Sequence, residues 1–448
     1  METQPLTYPP ALKSKGKETA RTNIVFVLQH FYPEMAGSAL RLAELADGLS
    51  KKKFEVTVFT GIPTYSDFLN VPKIETRAHL MIYRFGILKL NKNSRSGRIL
   101  TSIDFFASAL IQLMKRNKDE LLLVGSDPPF LCLIGWLLNK IRGQKFILHI
   151  ADLYPEIAVE LGYLKRGGVL EHLWNQMNRI CISKAERVIT VGNFMKQRLL
   201  EREKQNGNAE QRIEVIQNWE DEELIQPLAK EDNWFAREHH LLKKTVVLYA
   251  GNMGLAHDLV SVFEAARILA TEKDILFLFV GGGGQQKHLT ALKEKNHLEN
   301  ITFLPYQPRE YSRFVLTAGD IGLVTMKPRT EGLCVPSKFY STLASGLAVL
   351  AVVPKKTEVA ELIDVCQCGI CVEPLRPEQI VQAVLKLHHN KDLLNTMQKR
   401  ARMCFEERFT KEKALQEHMC IFEDISNCSV QNHIADPVDS AKVLASKS

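Results

Sequence analysis

The chain lacks any run of ~18 consecutive apolar residues, the length a helix needs to cross a bilayer. Its nearest candidates, Ile99–Met114 and Leu121–Leu138, are interrupted by Asp104 and by Asp127-Pro128-Pro129. Met1 to Asn23 are polar and basic with no apolar centre, so no secretion signal is expected. Nine cysteines, an odd number without such a signal, read as reduced thiols of a cytoplasm. Cys366, Cys368 and Cys371 cluster, yet no His or further Cys is spaced to complete a tetrahedral zinc site. They read as packing residues. No strand-end turn carries Asp-x-Asp, so neither metal nor cofactor is expected. The full G-x-G-x-x-G fingerprint of dinucleotide folds is missing as well, which disfavours NAD. No internal repeat of roughly 20–50 residues appears. The basic residues form no stripe with aromatics, which argues against nucleic acid.

What is there is a globular composition, with 45% apolar and 24% charged residues over 448 positions, enough for two or three domains. The formal charge of +7 is mild and scattered. Two local basic stretches stand out: Lys13 to Arg21, and Arg84 to Lys118 with Lys89, Lys92, Arg95, Arg98, Lys115 and Arg116. Both suit solvated surface or attraction to anionic lipid or a phosphorylated substrate.

Short β-branched runs alternate with helix-period segments throughout. In the first half the strand candidates are Ile24–Leu28, Glu55–Thr60, Leu121–Gly125, Phe146–Ile150, Val188–Val191 and Ile213–Gln217. In the second they are Val246–Tyr249, Leu276–Val280, Ile301–Leu304, Ile321–Thr325, Val349–Val353 and Gly369–Val372. The runs are continuous rather than alternating, as in parallel strands buried on both faces. The pattern predicts an α/β protein of two doubly wound, Rossmann-like sheets with a cleft between them. The boundaries fall at a flexible segment 1–22, a first domain 23–225, a polar linker 226–243 and a second domain 244–400. A helical segment 401–426 and a small, polar, disordered tail 427–448 follow.

The candidate site residues lie at strand ends. Gly37 and Ser38 close the first βα turn, where glycine permits close approach and Ser38 suits a helix cap facing a phosphate. Gly251-Asn252-Met253-Gly254 follows the first strand of the second half and is expected to open a helix. Gly281 to Gly284 end the next strand, either as a flexible turn or as backbone exposed to a nucleotide. In Glu331-Gly-Leu-Cys-Val-Pro-Ser337-Lys338, a hydroxyl, an ammonium and helix amides converge, which suits a diphosphate leaving group. His149 and Asp152 end the fourth strand, where either can position an acceptor hydroxyl or take its proton. An Asp that merely caps the next helix is the plainer reading there. His30 and the His239-His240 pair read as packing and linker polarity.

These motifs resemble the retaining GT-B glycosyltransferases (group 1, family 4), in their colanic-acid and O-antigen branch. The likeness rests on Tyr32-Pro33 with Gly37-Ser38, Asp152-Leu-Tyr-Pro-Glu156 with Leu161-Gly162, and Gly251-Asn-Met-Gly254. Val280-Gly-Gly-Gly283, Ala318-Gly-Asp320, Pro336-Ser-Lys338 and Ala344-Ser-Gly346 complete it, in order over residues 23–405. The resemblance implies a nucleotide-sugar-binding second domain and an acceptor-side first domain. Gly37, Ser38, Gly251, Asn252 and Gly254 would then line the donor site, with Gly282 and Gly283 near the base and Ser337 and Lys338 on the diphosphate. Glu331 matches the sugar-contacting first Glu of the family pair. His149 and Asp152 would face sugar and acceptor.

Two departures stand out. The second Glu of the pair has no counterpart; Phe339 or Ser341 takes its place, and Ser341 can still bond a ribose hydroxyl. The usual basic pair after the Gly251 loop reads His257-Asp258, so Lys338 with Lys327 or Arg329 is the expected replacement. The implied reaction is transfer from a UDP- or GDP-sugar to a hydroxyl of a lipid-diphosphate-linked saccharide, at the inner membrane face. The departing diphosphate is the candidate acceptor of the proton. A sugar-nucleotide epimerase of the same fold and a non-catalytic subunit of a glycan assembly are the rival readings.

Overall fold

The computed structural model describes residues 21–34, 37–63, 71–86, 95–203 and 209–434. The expected flexible segment 1–22 is therefore described only at its last two residues, and 435–448 of the expected tail lie outside. So do Lys13 to Lys17, Lys89 and Lys92 of the basic stretches.

The first sheet has eight strands: β1 (Thr22–Leu28), β2 (Phe54–Gly61), β3 (Ile74–Arg77), β4 (Leu80–Phe85), β5 (Leu121–Gly125), β6 (Phe146–Ile150), β7 (Arg187–Thr190) and β8 (Ile213–Val215). Their order is β3-β4-β2-β1-β5-β6-β7-β8, parallel except for β3 against β4. The second sheet comprises β9 (Thr245–Ala250), β10 (Ile275–Val280), β11 (Ile301–Leu304), β12 (Ile321–Thr325), β13 (Ala348–Val352) and β14 (Gly369–Val372). It runs β11-β10-β9-β12-β13-β14, all parallel. Each sheet reverses direction of winding beside its first strand, between β1 and β5 and between β9 and β12. In such sheets ligands bind outside the carboxyl ends at these switch points.

The twelve strands expected from continuous apolar runs are present. The hairpin β3–β4 was not expected, and its sequence explains why. Strand β3 (Ile-Glu-Thr-Arg) is a mostly exposed edge, and β4 carries Arg84 in its interior. That arginine is buried because its guanidinium donates to Glu75 at 2.8 Å, to Pro72 O and to Tyr32 O. The hairpin thus braces the turn after β1.

Three further expectations are corrected. The segment 226–243, expected as a polar linker, contains a packed helix. Asn233 caps the helix Trp234–Glu238, whose Phe235 is fully buried, while Trp234 packs on Tyr311 and Phe314. Lys230 pairs with Asp320 at 2.6 Å, so the segment belongs to the second half. The C-terminal helix spans Lys411–Ile434, past the expected boundary at 426, and returns to the first half. Its Leu415, Phe422 and Ile425 join the core with Ile24, Phe26 and Leu45. Finally, Cys366 is paired with Cys404 in a disulfide, so neither is a free thiol. Cys368 and Cys371 stay free, Cys368 fully buried.

The two halves meet through backbone as well as side chains. Leu153 N–H donates to Leu333 O at 2.7 Å, and Asp152 pairs with Cys334 in an antiparallel bridge. Glu358 accepts from Phe194 N–H at 2.7 Å, which caps the helix Asn193–Arg202 from the opposite half. Arg309 is salt-bridged to Glu44.

Candidate functional site

The centre of the cleft is the start of the helix Lys338–Ala344. The helix is short, but its Phe339, Tyr340, Leu343 and Ala344 are buried, so its first residue is fixed in place. Lys338 bends its chain back over β9. Its Nζ lies 4.8 Å from the centre of the Tyr249 ring, and a Cβ on Gly251 would stand 3.2 Å from its Cε. Burial holds the ammonium well below its ordinary value, at about 8. Among the described residues no carboxylate pairs with it. A desolvated cation without a counter-ion is costly unless an anion fills the space beside it.

The two glycine loops supply that space. Gly251 has φ +119° and Gly281 φ +137°, and a Cβ on Gly281 would meet Gly251 O at 2.3 Å. A Cβ on Gly283, at φ +141°, would strike Asn252 Oδ1 and Met253 N. Met253 N–H donates to Gly282 O at 2.6 Å. The glycine run is therefore no flexible turn: it is locked against the first loop backbone to backbone. The Gly251 loop does not open a helix directly, since the next one begins at Val260. Between them His257 donates Nδ1–H to Thr325 O at 2.7 Å. Burial, then the neighbouring Lys338 and Lys327, push its pKa down to about 3, so it is a neutral group. Asp258 accepts from Ser261 Oγ and Leu375 N–H and is structural. Lys327 lies near enough to His257 to lower its pKa.

The first half contributes the opposite wall. Gly37 begins the helix Gly37–Ser50, and a Cβ there would lie 3.5 Å from Ser337 Oγ. Ser38 sits exposed in the first turn of that helix rather than at its cap. Ser337 makes no capping bond, and Ser341 Oγ donates within its own helix to Lys338 O at 3.1 Å. Glu331 is half-buried ahead of Gly332, at φ +65°, where a Cβ would stand 2.9 Å from Phe194 O and 3.0 Å from Arg198 Nε.

Asp152 lies where expected, at the end of β6, with its backbone bridged to Cys334 of the opposite half. It caps no helix, because the following one (Glu156–Glu160) is preceded by Pro155. Burial, then the nearby Asp127, raise its pKa to about 6. His149 is the correction. Along β6, Phe146 and Leu148 face one core and Ile147 the other, and His149 takes the side of Ile147. Its ring stacks on His418 of the C-terminal helix, 6.3 Å centroid to centroid, and burial lowers its pKa to about 4.

Other cleft residues were not named as site residues from the sequence, where His30 reads as strand-end packing. Tyr306 follows β11, is 60% exposed, and donates its hydroxyl to Gly282 O. Asp127 ends β5, and His30 with Glu34 ends β1. Only the short spacing of Tyr306 from its strand end could have signalled it.

Two Rossmann-like sheets facing across a cleft lined by glycine loops and a buried lysine define a GT-B glycosyltransferase. The family models agree. Residues 35–224 match "Glycosyltransferase Family 4" and residues 230–403 match "Glycosyl transferases group 1". The chain belongs to this family of glycosyltransferases. It is 27% identical over 379 residues to the putative colanic acid biosynthesis glycosyl transferase WcaI of Escherichia coli, covering 81% of this chain and 92% of that one. It is 26% identical over 301 residues to the probable glycosyltransferase WbjE of Pseudomonas aeruginosa, covering 67% and 74%. Among solved structures, sucrose-phosphate synthase of Thermosynechococcus elongatus superposes with a TM-score of 0.71 at 16% identity, over 91% of this chain and 100% of that one. HepE of Anabaena, in complex with UDP and glucose, gives 0.66 at 15% identity, over the same shares. These last two likenesses speak for the fold.

Proposed function

We propose that the protein transfers a hexosyl or N-acetylhexosaminyl group, with retention, from a UDP- or GDP-sugar to a hydroxyl of a lipid-linked saccharide. The product would serve surface polysaccharide synthesis. The observation that carries this reading is Lys338, a buried ammonium with no carboxylate partner among the described residues, set beside two interlocked glycine loops. In that position it neutralises the charge that grows on a departing diphosphate, with Lys327 adding to the field and no metal needed. The neighbour HepE holds UDP and glucose, and the relative WcaI is named for colanic acid, which supports donor and pathway class. Glu331 is assigned to the transferred sugar, Asp152 to the acceptor side, and Tyr306 to the base beside Gly282. The ribose is left to Ser341, in place of a carboxylate.

The membrane side of the reading rests on the helix Arg95–Met114. Its Ile99, Leu100, Ile103, Ile111 and Met114 are exposed. The helix Val169–Lys184 exposes Val169, Leu170 and Leu173 in the same half. Among the described residues no helix is long and apolar enough to cross a bilayer. Apolar faces edged by Lys115, Lys165 and Lys184 suit the surface of an anionic leaflet instead.

The test is nucleotide release from a panel of UDP- and GDP-sugars, with and without lipid-diphosphate-linked acceptor. Lys338→Ala should lower turnover about 100- to 1000-fold with thermal unfolding no lower than the parent's. Turnover within a few fold of the parent would overturn the assignment.

A further inference from the structure

The helix Gly37–Ser50 touches the second half at two points, and one chain of contacts joins them. Near its start Arg41 is buried, with Nε donating to Trp219 O at 2.9 Å and Nη1 to Gly37 O at 3.2 Å. A Cβ on Gly37 would stand 3.2 Å from Arg41 Nη1 and 3.5 Å from Ser337 Oγ. The guanidinium therefore backs the turn that faces Ser337. Three positions on, Glu44 accepts from Trp219 Nε1 at 3.1 Å with one oxygen and pairs with Arg309 of the second half through the other. Trp219 is buried in the crossover between the halves, where its neighbour Glu220 donates N–H to Phe409 O.

The roles in this chain depend on one another. An arginine and a carboxylate three positions apart on a helix are placed to pair with each other. Arg41 and Glu44 do not, because Trp219 and Arg309 occupy both Glu44 oxygens and Arg41 bonds to two carbonyls instead. Burial raises the pKa of Glu44, and Arg309 is the first of the groups that hold it down. Without Arg309 this desolvated carboxylate needs another cation, and Arg41 is the one basic residue of its helix. Such a pairing draws the guanidinium off Gly37 O and releases the turn. We propose that Arg41 is a positioning residue for the donor diphosphate, holding Gly37 toward Ser337, and that the Glu44–Arg309 pair keeps it in that role.

This inference rests on the glycosyltransfer reading, in which Gly37 and Ser337 flank the diphosphate, and the test separates the two. Calorimetry on the full chain measures the affinities of UDP, UMP, GDP and GMP, whose ratios isolate the diphosphate end. Arg41→Lys keeps the charge but not the fork that reaches Trp219 O and Gly37 O together. It should weaken the preferred diphosphate about 10-fold and leave its monophosphate within about twofold. Arg309→Gln should give the same selective loss. Adding Glu44→Gln to it should restore the parent's preference, because a neutral amide no longer competes for Arg41. Arg309 is 28% exposed, so these last two variants decide the matter even if Arg41→Lys fails to fold. An equal fall in mono- and diphosphate affinity, an unchanged ratio in Arg309→Gln, or a double variant no better than Arg309→Gln overturns the assignment. A parent protein that binds neither UDP nor GDP overturns the donor reading itself, and this inference with it.

Discussion

Lys338 is where one residue concentrates the chemistry of the whole cleft. Because burial lowers its pKa to about 8, the free protein holds an ammonium below that pH and loses it above. A bound diphosphate favours the charged form, so UDP must bring a proton with it once the pH passes 8. Calorimetric UDP affinity should therefore fall by up to about tenfold per pH unit above 8, with proton uptake, and Lys338→Met should be flat over the same range. Stability runs the opposite way. Between about 8 and the ordinary 10.5 the unfolded chain binds more protons, so folding grows more favourable as pH rises through that window. A parent protein whose UDP affinity is level from pH 7 to 10 would refute this account. His257 takes no part in the titration, being neutral at any working pH with its Nδ1–H committed to Thr325. From the sequence the expected basic pair is missing, and Lys327 and Arg329 are equal candidates to accompany Lys338. Lys327 and Arg329 are two residues apart, and only the fold puts Lys327 beside His257.

At the scale of elements, contacts between the halves explain how the site is assembled. The helix Asn193–Arg202 has no side-chain cap of its own at Gly192, and Glu358 from the second half provides one. Gly192 is required for that approach, since a Cβ there would overlap Glu358 Oε1 at 2.2 Å. Glu358→Ala leaves a part-buried N–H unpaired and should cost about 1 kcal/mol, read as a lower Tm and faster amide exchange at Phe194. Glu358→Gln, whose amide oxygen still accepts, should recover most of it; equal losses in both variants would point to packing instead. On the outer face, the exposed rows of Arg95–Met114 and Val169–Lys184 belong to helices that both flank the helix Cys132–Arg142. Ile103→Glu with Leu170→Glu should reduce cosedimentation with phosphatidylglycerol vesicles at least several fold. Undiminished binding would remove this face from the membrane contact. The sequence flagged Ile99–Met114, since its flanking basic residues are local. The Val169 helix escaped notice because exposure is a property of packing.

For the whole molecule, the architecture was written in the chain. Parallel strands buried on both faces must be continuous β-branched runs, so β1, β5, β6 and β9 to β14 are visible residue by residue. Turns that bring backbone to backbone must be glycine, so Gly251 and Gly281 to Gly283 announce the donor-side loops. The edge hairpin β3–β4 carries neither signal and stayed hidden. Pairings between residues far apart in the chain were decided by the tertiary structure alone. It sends the helix Lys411–Ile434 back to the first sheet, brings Cys404 to Cys366, and turns His149 onto His418 while its neighbour Asp152 reaches the cleft. The same closure sets Lys338 on Tyr249 and His30 between Glu34 and Asp127. Local sequence determines what a strand or turn can be, because backbone conformation is a short-range property. Which side chains meet at a strand end depends on twist, register and the face each residue takes, and those are set only when the sheets and helices have packed.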